Sequence, residues 1–278
     1  MHKEETWASR KHFLITGASS GIGREISLRL AGACGKLTMV ARNIERLTSL
    51  LDDLKRLNDL NHRSDGWAST EAIIHSFDVR DTEAAANLIR RIYDEDNDQV
   101  DAFINCAGGS HVYGLLESLS KQDIEEIMDV NGKAPIFWLR ELLPRMKSNR
   151  ISEGCLKRAH VMMLSSRSGE RALPNLAVYA AAKGSVEKLV EAVRNEYAFH
   201  RIAFTLVNPG SINTAFTARW PLLLRDAHNT ESMTVEEAVD PIIHALNSQF
   251  AVNKLSYESL EQWRGEPGVL AGNDTLST

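Results

Sequence analysis

Tyr179 and Lys183 stand four positions apart in this 278-residue chain, in the segment Tyr-Ala-Ala-Ala-Lys. On a helix this spacing places both side chains on one face, and the alanines between them leave room for a ligand. Reduction of a ketone requires a proton donor for the nascent alkoxide, and oxidation of an alcohol requires a base. A free tyrosine has a pKa near 10, which a neighbouring ammonium lowers because it favours the phenolate. The pair indicates acid–base chemistry at a carbonyl or hydroxyl, although an exposed helical pair has the same spacing.

The first predicted strand, residues 12–16, runs directly into a glycine-rich turn that opens a helix. Glycines permit a tight turn and let the backbone approach a pyrophosphate at the helix N-terminus, where free N–H groups favour anions. A structural turn is the alternative, but the strand–turn–helix context favours dinucleotide binding. No Gly-Lys-Ser/Thr follows, which excludes a nucleotide triphosphate loop. The candidate contacts in this turn are Gly17, Ser19, Ser20, Gly21, Ile22 and Gly23.

The end of the second predicted strand bears on which nicotinamide cofactor is used. An enzyme selective for NAD generally places a carboxylate here for the ribose hydroxyls, whereas this chain has Ala41 followed by Arg42 and Asn43. Arg42 can hold a 2′-phosphate by charge-assisted hydrogen bonds, and Ser19 can add a hydroxyl donor. A surface arginine at a helix entry is the alternative. The sequence favours NADP(H) and leaves NAD(H) open.

The spacing of the glycine turn (Thr-Gly, three residues, then Gly-x-Gly) resembles that of the short-chain dehydrogenase/reductase family, in its simple one-domain branch. Ser166 matches the family's catalytic serine, because it precedes Tyr179 by the family's interval, whereas Ser165 is one residue out of register. Asn131 resembles the family's helix asparagine, although it fits a helix cap equally well. The resemblance implies that Ser166 orients the substrate oxygen, that Tyr179 is the acid/base, and that Asn131 holds a water in a proton relay ending at Lys183.

Further landmarks of the family follow in chain order. An Asp-Val pair comes after the third predicted strand, an Asn-x-Ala-Gly element after the fourth and a Pro-Gly element after the sixth. The resemblance places these next to adenine, along the cofactor and beside the nicotinamide carboxamide. The implied cofactor contacts are Asp78, Val79, Asn105, Ala107, Gly108, Pro209, Gly210, Ile212 and Thr214, with Tyr179 and Lys183.

The elements that must position these residues alternate between short β-like runs and longer helical segments. This pattern predicts an α/β fold with a doubly wound (Rossmann-type) parallel sheet of about seven strands, flanked by helices on both faces. No linker divides the chain, so residues 1–278 are expected to form a single dinucleotide-binding and catalytic domain. The acidic run 94–98 and the stretch 61–69 are predicted to be surface loops. Helices are predicted at 22–33, after the second strand, and at 82–93, 131–148, 177–200 and 234–247.

The resemblance weakens after Thr214. An apolar patch lies in the probable substrate-loop region, 215–235, and fits a lid over an apolar substrate or packing against the core or a partner subunit. The irregular tail, 258–278, could cover the cleft, pair with another subunit or be partly disordered. The candidate substrate contacts are His111, Ser168, Phe216 and Trp220.

Charge and composition give no indication of binding to nucleic acid or of a membrane-spanning segment. The formal net charge of −5 gives no sign of a nucleic-acid surface, and no apolar run approaches the roughly 18 to 20 residues of a membrane span. The three cysteines match no disulfide or zinc framework, so no metal and a reducing cytoplasm are expected.

The resemblance implies a homodimer or homotetramer that packs through the two long helices 131–148 and 177–200. Burial in the core of the protein explains the apolar faces of these helices equally well.

These patterns predict an NADP(H)-dependent oxidoreductase that moves a hydride between nicotinamide and a carbonyl or secondary alcohol carbon of a small molecule, reduction being the favoured direction. The alternative is a non-catalytic NADP(H)-binding sensor or scaffold on the same fold. Its signature would be a lost tyrosine or lysine, and both are present. An isomerase or dehalogenase is a third class, disfavoured by the intact glycine turn and relay.

Overall fold

The computed structural model describes residues 6–65, 69–214, 232–248 and 251–258. Within these ranges seven parallel strands form one sheet: β1 (His12–Thr16), β2 (Lys36–Ala41), β3 (Glu71–Ser76), β4 (Ala102–Asn105), β5 (Ala159–Leu164), β6 (Ile202–Pro209) and β7 (Lys254–Tyr257). Their order across the sheet is β3-β2-β1-β4-β5-β6-β7. The chain reverses direction across the sheet between β1 and β4, and ligands of such sheets bind at that switch point.

Eight α-helices connect the strands of the described ranges, and none of them is long and apolar enough to span a membrane. Their starts follow from capping chemistry: Asp81 accepts the Ala84 N–H at one helix, and Ser120 forms a capping box with Asp123 at the next. The helices are α1 (Gly21–Leu30), α2 (Ile44–Asp65), α3 (Thr82–Arg90), α4 (Lys121–Met128), α5 (Ala134–Met146), α6 (Arg167–Glu170), α7 (Ala177–Glu196) and α8 (Val235–Asn247).

The central strands are buried on both faces, which explains their nearly continuous apolar runs. Alternate residues of β5 enter different cores. Val161 and Met163 pack with residues of α3, α5 and α7. Met162 and Leu164 pack on the opposite face with residues of α1, α2 and α8. The predicted doubly wound α/β fold is therefore confirmed.

Three predicted local structures differ in part from the structure. Residues 61–65 of the predicted loop 61–69 are helical, because α2 continues to Asp65. The predicted helix 131–148 begins as a π-helical turn at 129–133 and becomes α-helical only from Ala134. The acidic run is exposed from Asp94 to Asn97, as predicted, but it begins in a π-helical turn and its charges have partners. Asp94 pairs with Arg145 at 2.6 Å, and Asp98 lies 3.0 Å from His12 Nδ1.

Trp138 joins α5 to the sheet. Its buried ring stacks on Phe103 of β4 at a centroid distance of 5.6 Å and on Phe77 at 6.2 Å. Its indole N–H donates to the Val79 carbonyl at 3.1 Å. One side chain thus holds α5, the middle of the sheet and the segment after β3 together.

We expect Trp138→Ala to lower the free energy of unfolding by about 3 to 5 kcal/mol, because it leaves a large cavity and an unpaired carbonyl. Urea denaturation measures the change. The control is Phe199→Ala, at a side chain that is 98% exposed, which should change stability by less than about 0.5 kcal/mol. Similar losses in both variants would contradict this account of the core.

Candidate active site

The glycine turn after β1 is closely packed against the end of β4. Gly17 has a φ of +68°, and a Cβ there would lie 2.7 Å from the Ala107 nitrogen. A Cβ on Gly23 would lie 2.5 Å from the Gly17 carbonyl oxygen. Glycine is therefore required at both positions, for backbone conformation at the first and for space at both.

The same turn leaves the start of α1 open. Ser20 occupies the N-cap position, but its side chain does not cap the helix. The N–H groups of the first turn consequently keep their capacity to bind an anion. A Cβ on Gly21 would meet only Thr214 Cγ2, at 3.6 Å. The predicted contacts at Ser19, Ser20 and Ile22 all lie in this half-open turn.

Thr16 connects the loops after β1 and β4. Its hydroxyl donates to Asn105 Oδ1 at 2.8 Å, and its carbonyl accepts the Cys106 N–H at 3.2 Å. Both side chains are buried. Asn105 thus supports the sheet at the switch point, and Ala107 and Gly108 follow it into the loop that borders the cleft.

Arg42 follows β2 with its side chain 74% exposed and its Nη1 3.7 Å from Asp78 Oδ2. Asp78 is held more closely by Arg80, which donates to it at 2.9 Å. Burial tends to raise the pKa of Asp78, but the hydrogen bonds from Arg80 and the charge of Arg42 leave it below its usual value. Asn43 accepts the Arg46 N–H at 2.7 Å and so caps α2. The carboxyl end of β2 therefore presents an exposed guanidinium.

The structure places Ser166, and not Ser165, beside Tyr179. Ser166 begins α6, and its hydroxyl accepts the Ser168 N–H at 3.1 Å. Burial raises the pKa of Tyr179 to about 12, and a hydrogen bond with Ser166 lowers it by less than burial raises it. Ser165 points elsewhere, since its hydroxyl donates to the Lys183 carbonyl at 3.1 Å.

Lys183 is buried one turn after Tyr179 on α7. Its Nζ donates to the Leu164 carbonyl at 2.9 Å and lies 5.8 Å from the Tyr179 ring centroid. Burial lowers the pKa of Lys183 to about 8. The Tyr-Lys spacing predicts that the ammonium lowers the pKa of Tyr179, but in the protein alone burial has the larger effect and the tyrosine stays neutral.

Asn131 lies in the π-helical turn 129–133 and is fully buried. It does not cap a helix, so that alternative was wrong. Its amide nitrogen donates to the carbonyls of Gly109, at 2.8 Å, and Ile127, at 2.9 Å, and its oxygen accepts the Gly109 N–H at 2.8 Å. A Cβ on Gly108 would lie 2.8 Å from Asn131 Oδ1 and 2.9 Å from Lys183 Nζ. Gly108 therefore fits only as glycine between these two side chains.

The Pro-Gly loop after β6 (Pro209 to Thr214) closes the same edge of the sheet. The Gly210 N–H donates to the Tyr257 carbonyl at 2.7 Å. Ile212 is buried and bridges to Met233, and Thr214 reaches Gly21 of the glycine turn. The predicted cofactor residues thus follow the carboxyl ends of the strands, at one edge of the sheet.

The four candidate substrate residues do not share one location in the structure. His111 lies 3.3 Å from Asp123 and 3.4 Å from Glu126, so its ring is directed at α4. Ser168 is buried beneath Ser166. Phe216 and Trp220 lie outside the described residues, as do most of the substrate-loop region and the tail. An apolar cluster around Tyr179, which the sequence did not predict, contains Ile127, Leu176 and Val178. Only Leu176 and Val178 offered a signal, because they are close to the tyrosine in sequence.

A family model described as short chain dehydrogenase matches residues 11–222. The chain belongs to the short-chain dehydrogenase/reductase family. The resemblance drawn from the glycine turn and the Tyr-Lys pair is thereby confirmed, and the family is one of oxidoreductases.

Individual members of the family agree with this assignment. Dehydrogenase/reductase SDR family member 7B from Xenopus laevis is 28% identical over 85% of this chain and 71% of its own. A 3-oxoacyl-(acyl-carrier protein) reductase from Brucella melitensis, in complex with NAD, has a TM-score of 0.77 at 19% identity, covering 92% of this chain and 99% of that chain. An alcohol dehydrogenase from Thermococcus sibiricus, complexed with 5-hydroxy-NADP, has a TM-score of 0.72 at 23% identity, covering 90% and 97%. At these identities, the two structures support the fold.

The buried Lys183 generates a pH-dependent stability. Its pKa falls from 10.5 to about 8 on burial, so between these values the unfolded chain binds the proton more tightly than the folded chain. The stability of the parent protein consequently rises with pH across this window. The Lys183→Met variant lacks this titrating group and does not gain the added stability. The free energy of unfolding of the variant minus that of the parent should therefore decrease by about 2 kcal/mol between pH 7.0 and pH 9.5.

Urea unfolding of both proteins at the two pH values measures this difference. Lys188→Met is the control on the same helix, since Lys188 is 81% exposed and paired with Glu191. The free energy of unfolding of this variant minus that of the parent should change by less than about 0.5 kcal/mol between the two pH values. A Lys183→Met difference independent of pH would show that the ammonium is not desolvated in the folded protein.

Proposed function

We propose that the protein is an NADP(H)-dependent reductase that transfers a hydride to the carbonyl carbon of a small molecule, and in reverse oxidises a secondary alcohol. The observation that carries the proposal is the meeting of the half-buried Ser166 with the buried Tyr179 and Lys183 at the carboxyl edge of the sheet. The turn after β5 supplies the serine, and α7 supplies the tyrosine and the lysine. Together they provide the polar groups that acid–base chemistry at a carbonyl requires.

The residues of the cleft fit a dinucleotide. The uncapped start of α1 suits the pyrophosphate, and the exposed Arg42 suits a 2′-phosphate. Asp78 and Val79 lie next to Arg42 and would contact the adenine. Ile212 and Thr214, in the loop after β6, would contact the carboxamide of the nicotinamide. When bound, the reduced nicotinamide supplies the hydride.

Tyr179 supplies the proton in the proposed reduction. With a pKa of about 12 in the protein alone, its hydroxyl is fully protonated at neutral pH and can donate to the carbonyl oxygen as negative charge develops. Ser166 donates a second hydrogen bond to that oxygen and so orients the substrate. Lys183 holds the nicotinamide ribose, and its positive charge stabilises the phenolate that remains.

Asn131 connects the relay to solvent in this proposal. Its side chain is already bonded to Gly109 and Ile127, which favours its main-chain carbonyl as the group that holds the water. Pro135, four residues on, has no N–H to donate to that carbonyl, as an ordinary helical residue would. The π-helical turn accommodates this missing bond, and such turns are frequent at functional sites.

The preference for NADP(H) rests on Arg42. Ala41 provides no carboxylate to repel a 2′-phosphate, and Asp78 is engaged by Arg80. The fold does not decide the matter, since one structural neighbour is complexed with NAD and another with 5-hydroxy-NADP. Because cells usually keep the NADP pool reduced, we propose reduction as the physiological direction.

The remaining proposals concern the surroundings of the enzyme. Free Cys34, Cys106 and Cys155 suit a reducing cytoplasm. Ile136 and Phe137 are 45% and 42% exposed on α5, which suits packing against a second copy in a homodimer or homotetramer. A non-catalytic sensor or scaffold remains the rival function, and the first experiment below separates it from a reductase.

Tyr179→Phe should lower kcat/KM for carbonyl reduction by about 100-fold or more, because it removes the proton donor. The measurement is NADPH oxidation, followed by absorbance, against a panel of ketones, aldehydes and diketones. NADPH binding, followed by fluorescence, should change by less than about 3-fold, since a hydroxyl at the reacting centre contributes little to ground-state affinity. Tyr197→Phe, at the far end of α7, is the control and should retain parent activity.

Turnover that survives in Tyr179→Phe would contradict the proposed mechanism. Tight NADPH binding by the parent without turnover of any substrate in the panel would favour the sensor.

Arg42→Ala should raise the KM for NADPH by about 10- to 100-fold, because a charge-assisted contact with the 2′-phosphate is lost. The KM for NADH should stay within about 2-fold, since NADH lacks that phosphate. The control is Arg56→Ala, at an arginine of equal exposure (74%) on α2. Steady-state kinetics with both cofactors measures the effect, and equal losses with NADPH and NADH would refute the assignment of Arg42.

A further inference from the structure

Four polar side chains form one cluster where α6 and α7 meet the last two strands of the sheet. They are Glu170 of α6, Glu187 of α7, Asn208 of β6 and Lys254 of β7. The Lys254 ammonium lies 2.5 Å from Glu170 Oε1 and 3.5 Å from Glu187 Oε2. The Asn208 amide donates to Glu187 Oε1 at 2.9 Å. We call these four residues the rear network.

Asn208 occupies the buried centre of the rear network. Its NH2 group donates to Glu187 and also to Glu170. Burial tends to raise the pKa of Glu170, and the bonds from Lys254, Ser256 and Asn208 nevertheless hold it below its usual value. The amide orientation is determined by this arrangement, because a reversed amide would direct its oxygen at two carboxylates.

Three members of the rear network adjoin different parts of the candidate active site. Glu187 follows Lys183 by one turn of α7, and Glu170 ends the short helix that begins at Ser166. Asn208 immediately precedes the Pro-Gly loop. The network therefore joins the substrate-orienting serine, the tyrosine–lysine helix and the nicotinamide side of the cleft.

The packing around Gly169 shows how close these elements are. A Cβ at Gly169 would lie 2.7 Å from Glu187 Oε1, 2.9 Å from Ser165 Oγ and 3.1 Å from the Lys183 carbonyl carbon. The turn after Ser166 thus lies directly against α7. A displacement of the Glu187 carboxylate would consequently alter the packing of α6 against α7.

Lys254 is the cation that both carboxylates of the network share, whereas Arg167 lies 3.5 Å from Glu170. The Lys254 ammonium lies between two carboxylates whose side chains are only 23% and 16% exposed, those of Glu170 and Glu187. Without that ammonium, like charges in a partly desolvated site repel each other. Such repulsion would separate α6 from α7, and hence Ser166 from Tyr179.

We propose that Glu187 and Lys254 are positioning residues for hydride transfer. They touch neither substrate nor cofactor, and they set the placement of Ser166, Tyr179 and Lys183 relative to the Pro-Gly loop. The inference rests on the proposed function, because its catalytic consequence is defined by the reduction step. Misplacement of reacting groups by about 1 Å can cost about 100-fold in rate.

The experiment compares Glu187→Ala and Lys254→Met with the parent enzyme. We expect kcat for carbonyl reduction to fall by about 10- to 100-fold, while the Kd for NADPH changes by less than about 3-fold because the phosphate contacts at α1 and Arg42 are remote. Lys254→Arg, which keeps the charge, should restore most of kcat. Hydrogen exchange should accelerate in residues 165–170 and 208–212.

The matched control is Glu191→Ala, one turn further along α7, where the carboxylate pairs only at the surface with Lys188 at 2.7 Å. It should leave kcat and exchange unchanged. Parent-like kcat in Glu187→Ala would overturn the proposal, as would a loss of kcat matched by an equal loss of NADPH affinity and thermal stability. If the parent itself shows no turnover, the proposed function fails. The exchange data then decide this inference alone: local acceleration in Glu187→Ala but not in Glu191→Ala supports it, and its absence overturns it.

Discussion

The burial of the Lys183 ammonium is the constraint on which the candidate site depends. A cation in an apolar interior requires a strong acceptor nearby, and here the Leu164 carbonyl at the end of β5 serves that purpose. The bond fixes α7 against the sheet edge and thereby determines where Tyr179 lies. Desolvation lowers the pKa of the lysine and raises that of the tyrosine, so both groups are neutralised more readily than in water.

Space is the second constraint, and glycine provides it. Gly17 lies against the backbone after β4, and Gly108 lies between Asn131 and Lys183 with no room for a methyl group. These contacts bring the loops after β1 and β4 within reach of a single ligand. The Thr16–Asn105 hydrogen bond then holds the two loops together. The switch point of the sheet becomes a cleft because small residues allow its walls to approach.

Local signals in the sequence predicted the fold well. An apolar run placed β1 with the bounds that the structure has, and the helix predicted from residue 82 begins at Thr82. The failures occurred where a distant partner overrides local preference. The acidic run became ordered because Arg145 and His12 pair with it. The break in the helix near Asn131 reflects Pro135 and the buried amide contacts to Gly109, neither of which changes the periodicity of the apolar residues.

The sequence by itself determined the α/β class, the family and the residue types of the site, because glycine spacing, strand periodicity and the Tyr-Lys interval are properties of neighbouring residues. Tertiary structure decided which way the pKa of Tyr179 moves, since burial depends on the whole fold around α7. It also decided that Ser165 faces the helix backbone, and that Glu187 meets Lys254 across two elements far apart in the chain. Desolvation and long-range contact have no local signature, so only the folded chain could show them.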